Sequence, residues 1–187
     1  INLSVLSQGE VLFNREQERV NIDHLIVPRL NELQALINRE LPEIERYQVQ
    51  HQITYRAIVQ LVDALYLNNI FTNNSDKIKF LCEQINQNER NALRILAHVT
   101  DCFAYILMNL VNIFSAQRVM LNSSLLVVKD VFLEQLNHKL SAYLSNKTIS
   151  VEVITGKYEW NSPIVAGAAI KQGIYDGSLL TYLVKNE

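Results

Sequence analysis

The chain has 187 residues, 49% of them apolar and 19% charged, with a formal net charge of -2. That is enough apolar side chain for one ordinary domain or two small lobes, and a charge near zero excludes the basic footprint that phosphate backbones attract. Five glycines and three prolines exclude collagenous, linker-rich or largely disordered chains.

The residues Asn2 to Ser7 alternate, Gly9 marks a turn and Val11 to Phe13 resumes a strand, so a hairpin is predicted around Ser7-Gln8-Gly9-Glu10. A third extended run is expected at Val20 to Ile22. Asp23 then reads as the N-cap of a helix with Leu25, Ile26, Leu30, Leu33 and Ile37 on one face. Pro28 fits only a first turn, which moves the start towards His24 to Val27, and Pro42 ends the helix near Leu41. From Glu43 to Gln52 the pattern is polar and aperiodic.

Tyr55, Ile58, Val59, Val62, Leu65 and Tyr66 recur at helical spacing. Asn68-Asn69 and Thr72 to Ser75 mark a loop, with Ser75 capping a helix from Asp76 to about Ile85. A longer helix follows from about Glu89 to Phe114, polar at its start and apolar nearly all round at its end, as a helix entering a core would be. Its most apolar stretch, Cys102 to Phe114, is interrupted by Asn109 and Asn112 and is shorter than the ~20 residues a bilayer span needs.

Gln117 to Leu121 is β-like, and Leu126 to Leu144 is helical, with Val127, Val131, Leu136, Leu140 and Leu144 turned inward. Ile149 to Ile154 alternates and predicts a strand. Pro163 opens a small-residue helix through Ala166-Gly167-Ala168-Ala169 to about Ile174, and Asp176 caps a last helix from Ser178 to Lys185. Helix, strand, helix, strand, helix is the order of a mixed α/β lobe.

Two cysteines, Cys82 and Cys102, make no disulfide framework and fit a reducing compartment. The first residues show no basic n-region or cleavage site, so neither a signal peptide nor membrane insertion is expected, and the sequons at Asn73, Asn122 and Asn146 read as accidental. The expected location is cytoplasmic.

No Gly-rich phosphate loop, Gly-x-Ser-x-Gly elbow, CxxC or HExxH occurs. His98 and Cys102 stand four apart on one helical face beside Asp101, but a third metal ligand is not visible, and packed helix residues are the preferred reading. Glu40, Glu43 and Glu45 among Arg39 and Arg46 read as salt-laced helix ends, Tyr158 and Trp160 as loop aromatics over the core, and Cys82 as a small buried hydrophobe. No catalytic, cofactor or metal residues are assigned, and the chain is not expected to be an enzyme.

Three C-terminal segments resemble the ROK family of repressors, open reading frames and sugar kinases. The first is the long helix ending Tyr105-Ile106-Leu107-Met108-Asn109-Leu110-Val111-Asn112-Ile113-Phe114, and the second is the strand Gln117-Arg118-Val119-Met120-Leu121. The third joins Ile149-Ser150-Val151-Glu152 with Ala166-Gly167-Ala168-Ala169-Ile170-Lys171 and Tyr175-Asp176-Gly177-Ser178-Leu179-Leu180, and is similar to the tail of glucose- and N-acetylglucosamine-responsive repressors. Leu6-Ser7-Gln8-Gly9-Glu10-Val11-Leu12 and the helix with Leu30, Leu33 and Ile37 resemble the family's N-terminal lobe less specifically.

The resemblance implies an α/β, partial actin-like (ribonuclease H-like) fold: a remnant of the N-terminal lobe over 1–47 and a C-terminal lobe over 52–187. The family's sugar-contacting Glu-x-x-Gly-His, zinc-binding Cys-x-Cys-Gly-x-x-Gly-Cys, Asn-Asp base pair and winged-helix region have no counterpart here, so none of those residues carries over. Where kinases have glycines that admit a nucleotide, this sequence has Asn122-Ser123-Ser124. Two explanations fit, a natural degenerate remnant or part of a longer polypeptide.

The implied function is that of a truncated or degenerate sugar-responsive transcriptional repressor, with this chain supplying scaffold and oligomerisation. The alternatives are a decayed sugar kinase and a stand-alone module that pairs with an intact family member. The resemblance also implies a homo-oligomer (dimer or tetramer), DNA contact only through a winged-helix region absent here, and a phosphotransferase-system protein as partner. Tyr175, Leu179, Tyr182 and Leu183, at three- and four-residue spacing, are expected to form an apolar packing or oligomer seam.

Overall fold

Val5–Ser7 (β1) and Glu10–Leu12 (β2) pair antiparallel with Ser7 opposite Glu10, which is the predicted hairpin. The computed structural model describes residues 5–7, 10–12, 21–66, 71, 73–144 and 151–156, and residues 163, 167, 170, 171 and 175 singly. Its contacts divide into two compact units, Ile1–Val119 with Ser123–Val153, and Met120–Asn122 with Ile154–Glu187.

The helix expected from Asp23 to Leu41 does not form. Pro28 disfavours helical backbone at the residue before it, and residues 23–27 instead bond to a distant segment. Val27 N donates to the Tyr47 carbonyl at 2.9 Å, Val49 N to Leu25 at 2.8 Å and Gln50 N to Asp23 at 3.1 Å. Leu25 and Ile26 are consequently exposed. Only the 3₁₀ turn Glu32–Leu36 survives of that helix, started by a capping box between Asn31 and Gln34. It buries Leu33 and Gln34, and Ile37 is buried just beyond it.

The polar stretch that follows folds into two single turns, Glu43–Arg46 (α1) and Val49–Gln52 (α2). Arg46 Nη2 donates to the carbonyls of Arg39 (3.1 Å) and Leu41 (3.0 Å), so this guanidinium holds the chain bend rather than neighbouring carboxylates.

Thr54 caps Tyr55–Leu65 (α3), its Oγ1 accepting from Ala57 N. Helix Asn74–Asn86 (α4) is capped by Asn73, whose Oδ1 accepts from Asp76 N at 2.8 Å, and not by Ser75 as expected. Asparagine at that position satisfies a free N–H and leaves the next residues helical. Asn88, at φ 58, turns the chain into Arg90–Phe114 (α5), and Glu89 caps it through Asn91 N and Ala92 N.

Twenty-five residues make α5 long and apolar enough to cross a membrane by length and composition, which the residue count from Cys102 alone had not suggested. Most of its apolar window, 61%, is buried within the fold, as expected for a core helix.

Arg118–Leu121 (β3) leads through the 3₁₀ turn Ser124–Val128 into Lys129–Leu144 (α6) and then Glu152–Thr155 (β4). β3 and β4 pair in a small parallel sheet, with Glu152 N donating to Gln117 O at 3.0 Å and Arg118 Nε pairing with Glu152 at 2.7 Å. The expected β–α–β order is present, but the body of the first unit is helical, with α6 packed along α5 and α3 and α4 against it.

The inward face of α6 is Phe132, Leu136, Leu140 and Leu144. Val127, expected inward, is 78% exposed, because the 3₁₀ turn shifts the phase and buries Leu125 and Val128 instead. In the second unit, Pro163, Gly167, Ile170 and Lys171 are helical, as expected, and Tyr175, just past the expected end, is helical too. Of the third extended run, Asn21 and Ile22 are described and belong to no strand, with Ile22 buried, while Val20, the loop aromatics Tyr158 and Trp160, and the last helix lie outside the described residues.

Candidate functional site

A cleft of about 370 Å³ lies between the segment before α1 and the start of α3. Asn38 sits at its floor, buried, in the left-handed region at φ 45 that asparagine tolerates better than most residues. Its backbone N–H donates to Gln60 Oε1 and its Oδ1 accepts from Gln60 Nε2, both at 3.0 Å. Its Nδ2 donates to the His51 carbonyl at 3.3 Å and faces His51 Nδ1 at 3.5 Å. An amide nitrogen can only donate, so in this long contact Nδ1 is on the accepting side, and Nε2 makes no bond among the described residues.

Asp23, Glu40, Gln50, Thr54 and Arg56 complete the polar lining. Thr54 Oγ1 is used locally, donating to Gln50 O at 2.9 Å while capping α3. Gln50 Nε2 donates to Gln48 Oε1 at 2.8 Å, leaving Gln50 Oε1 as an acceptor. Glu40 and Arg56 are exposed and form no ion pair among the described residues. Of these residues the sequence singles out only Glu40, as part of a salt-laced helix end, and Asp23, as an N-cap, and neither as part of a site. The one available signal was the aperiodic polar run into Gln50-His51, whose partner Asn38 is brought in by the fold.

The second polar cluster is buried. His98 Nε2 lies 3.2 Å from the Gln52 carbonyl, and Nδ1 lies 3.2 Å from Asn31 Oδ1 and 4.0 Å from Cys102 Sγ. A neutral ring has one N–H for two facing oxygens, and Asn31 Nδ2 and Gln52 Oε1 nearby have no partner. Burial pushes His98 down to about 4, opposed by the Gln52 carbonyl and Asp101 and aided by Lys139. Burial, with Asp101 adding to it, pushes the Cys102 thiol up to about 12, so the sulfur is protonated at neutral pH. The pair His98 and Cys102 does share a helix face, but it is engaged in packing, and no group of three metal-binding side chains converges among the described residues.

Cys82 is buried, and burial, then the charge of Glu83, raises its thiol. Of the expected seam, Tyr175 is 78% exposed with Lys171 Nζ 5.7 Å from its ring centre. Leu179, Tyr182 and Leu183 lie outside the described residues.

The fold resembles that of a solved structure. A crystal structure from Cytophaga hutchinsonii ATCC 33406, of a protein provisionally described as a sugar kinase, superposes with a TM-score of 0.54 at 14% identity. The match covers 82% of this chain and 48% of that one, so this chain spans about half the length of the structure it resembles. At that identity the likeness shows the fold alone. No family profile matches the sequence, and no curated protein matches it.

Proposed function

We propose that the chain serves sugar-responsive transcriptional repression as a truncated or degenerate relative of the ROK repressors, contributing scaffold and oligomerisation rather than catalysis. The observation that carries this reading is Ser123. In the loop where the resemblance places the kinases' glycines, Ser123 is extended at φ -154 and its Oγ accepts from Leu125 N at 3.3 Å, starting the following 3₁₀ turn. Side chains there obstruct the close backbone approach that a nucleotide phosphate requires.

In this reading the protein is cytoplasmic, assembles as a dimer or tetramer, and leaves DNA contact to a winged-helix region outside these residues. A phosphotransferase-system protein is its proposed regulator, and Tyr175, Leu179, Tyr182 and Leu183 are its proposed seam. Light scattering of the purified chain should give a dimer or tetramer mass that the Leu179→Glu, Leu183→Glu variant lowers, and glucose or N-acetylglucosamine with MgATP should yield no sugar phosphate. A monomeric mass would remove the oligomerisation role, and a sugar phosphate would remove the repressor reading. The description of the structural neighbour as a provisional sugar kinase favours a second reading, a decayed sugar kinase. Sugar-dependent ATP turnover would establish it.

A further inference from the structure

The cleft at Asn38 and His51 has the makings of a small-molecule site, and it lies apart from every segment that carries the family resemblance most specifically. Its volume of about 370 Å³ falls within the roughly 300–1,000 Å³ usual for ligand pockets. Its lining differs from the usual one. Leu41 is the single aliphatic residue among the described lining, and no phenylalanine, tyrosine or tryptophan contributes. A ligand held there must gain its affinity from polar and charged contacts.

Those contacts are of both signs. Arg56 offers a guanidinium without an ion pair among the described residues, and His51 offers Nε2, the ring nitrogen that Asn38 does not face. Both favour a carboxylate, to which a guanidinium binds in a fixed fork geometry. Glu40 offers a carboxylate, likewise without an ion pair among the described residues, and Gln50 offers an Oε1 that accepts no bond among them. Both favour an ammonium group. Below them the floor is fixed: Asn38 is held by paired bonds to Gln60 of α3 and bonds in turn to His51 of α2. A preorganised floor lowers the ordering cost of binding.

We propose that this cleft binds a small zwitterion of amino-acid size, its carboxylate at Arg56 and His51 and its ammonium at Glu40 and Gln50. A neutral hexose would leave Arg56 and Glu40 without a counter-ion and find no phenylalanine, tyrosine or tryptophan face among the described lining. A simple anion or cation would use one half of the lining only. The proposal does not rest on the repressor reading, since a zwitterion site can exist whether the chain regulates, catalyses or only assembles.

Titration calorimetry of the full chain with L-serine, L-glutamine and γ-aminobutyrate tests it, with acetate, methylamine and glucose as controls. At least one zwitterion should bind saturably, and the controls should not. Arg56→Gln and Glu40→Gln, both at exposed positions, should each weaken that binding about tenfold or more, as loss of a charge-assisted hydrogen bond does. Far-UV circular dichroism confirms that the variants remain folded. His51→Gln provides a second, independent reduction on the carboxylate side. Absence of saturable binding by all three zwitterions overturns the proposal, as does binding that both charge variants leave unchanged or binding by glucose alone. None of these outcomes alters the oligomer mass or sugar phosphorylation on which the repressor reading stands.

Discussion

His98 Nε2 lies 3.2 Å from the carbonyl oxygen of Gln52, joining the middle of α5 to the last residue of α2 across 46 positions of chain. The ring is 1% exposed. Burial lowers its pKa from 6.5 to about 4 in the folded protein. A depressed histidine pKa means that the unfolded chain binds the proton more tightly. The stability that neutral His98 provides is therefore complete above pH 6.5, falls as the pH drops from there towards about 4, and is gone below that. The amount at stake is on the order of 3 kcal/mol. Urea unfolding at about pH 7 and about pH 4.5 should show the wild type losing more stability than His98→Gln, whose amide does not titrate in that range. Equal losses would mean that His98 is not the titrating group.

The thiols give a second test of the same core. Cys82 and Cys102 are buried, and burial raises both thiol pKa values. The thiolate is the reactive species, so neither should react with Ellman's reagent in the native protein at about pH 8. Both should react once urea unfolds the chain. Rapid native labelling of Cys102 would show that the helix interface around it opens far more readily than its packing implies.

Phe132 is fully buried on α6, and its ring meets that of Phe103 on α5 edge-on, at 5.9 Å and 87°. Such an arrangement suits the aromatic quadrupoles as well as filling space. Phe132→Ala should cost about 3–5 kcal/mol, much of a small domain's net stability. Phe132→Leu keeps most of the volume and should cost about 1.5 kcal/mol or less. Urea midpoints measure both. If the two variants lie together near the wild type, the α5–α6 interface is not where the stability resides.

These side chains also show which parts of the fold the sequence announces. α3 and α5 are legible from their apolar period of 3.6, to which the structure adds the caps Thr54 and Glu89. The hairpin is legible from Gly9 between two alternating runs. The segment from Asp23 to Leu41 is not. Its apolar spacing fits a helix, but its backbone bonds to residues 47–50, and no local pattern reveals a non-local partner. Val127 falls inward in an α-helix that starts at Leu126, but it lies in the turn Ser124–Val128, whose period is nearer three. The cleft was hidden for the same reason as the first helix. Asn38, His51 and Gln60 become one network only after the chain doubles back.

Lys139 reaches from α6 to α5, pairing with Asp101 and donating to the Ala97 carbonyl at 3.2 Å. Both charged groups are partly exposed, so solvent screens the pair and a double-mutant cycle of Lys139→Met and Asp101→Asn should return a coupling of about 1 kcal/mol. Added salt should reduce it. The same two charges act on His98 with opposite sign. Asp101 favours the imidazolium and Lys139 disfavours it. Following the His98 ring proton by NMR against pH, Lys139→Met should move the titration upward and Asp101→Asn should move it downward. A shift in the same direction from both variants would mean that they act by loosening the helix pair. Opposite shifts, with the fold intact, establish that the ion pair on the flank of α5 helps set the charge state of the histidine in its core.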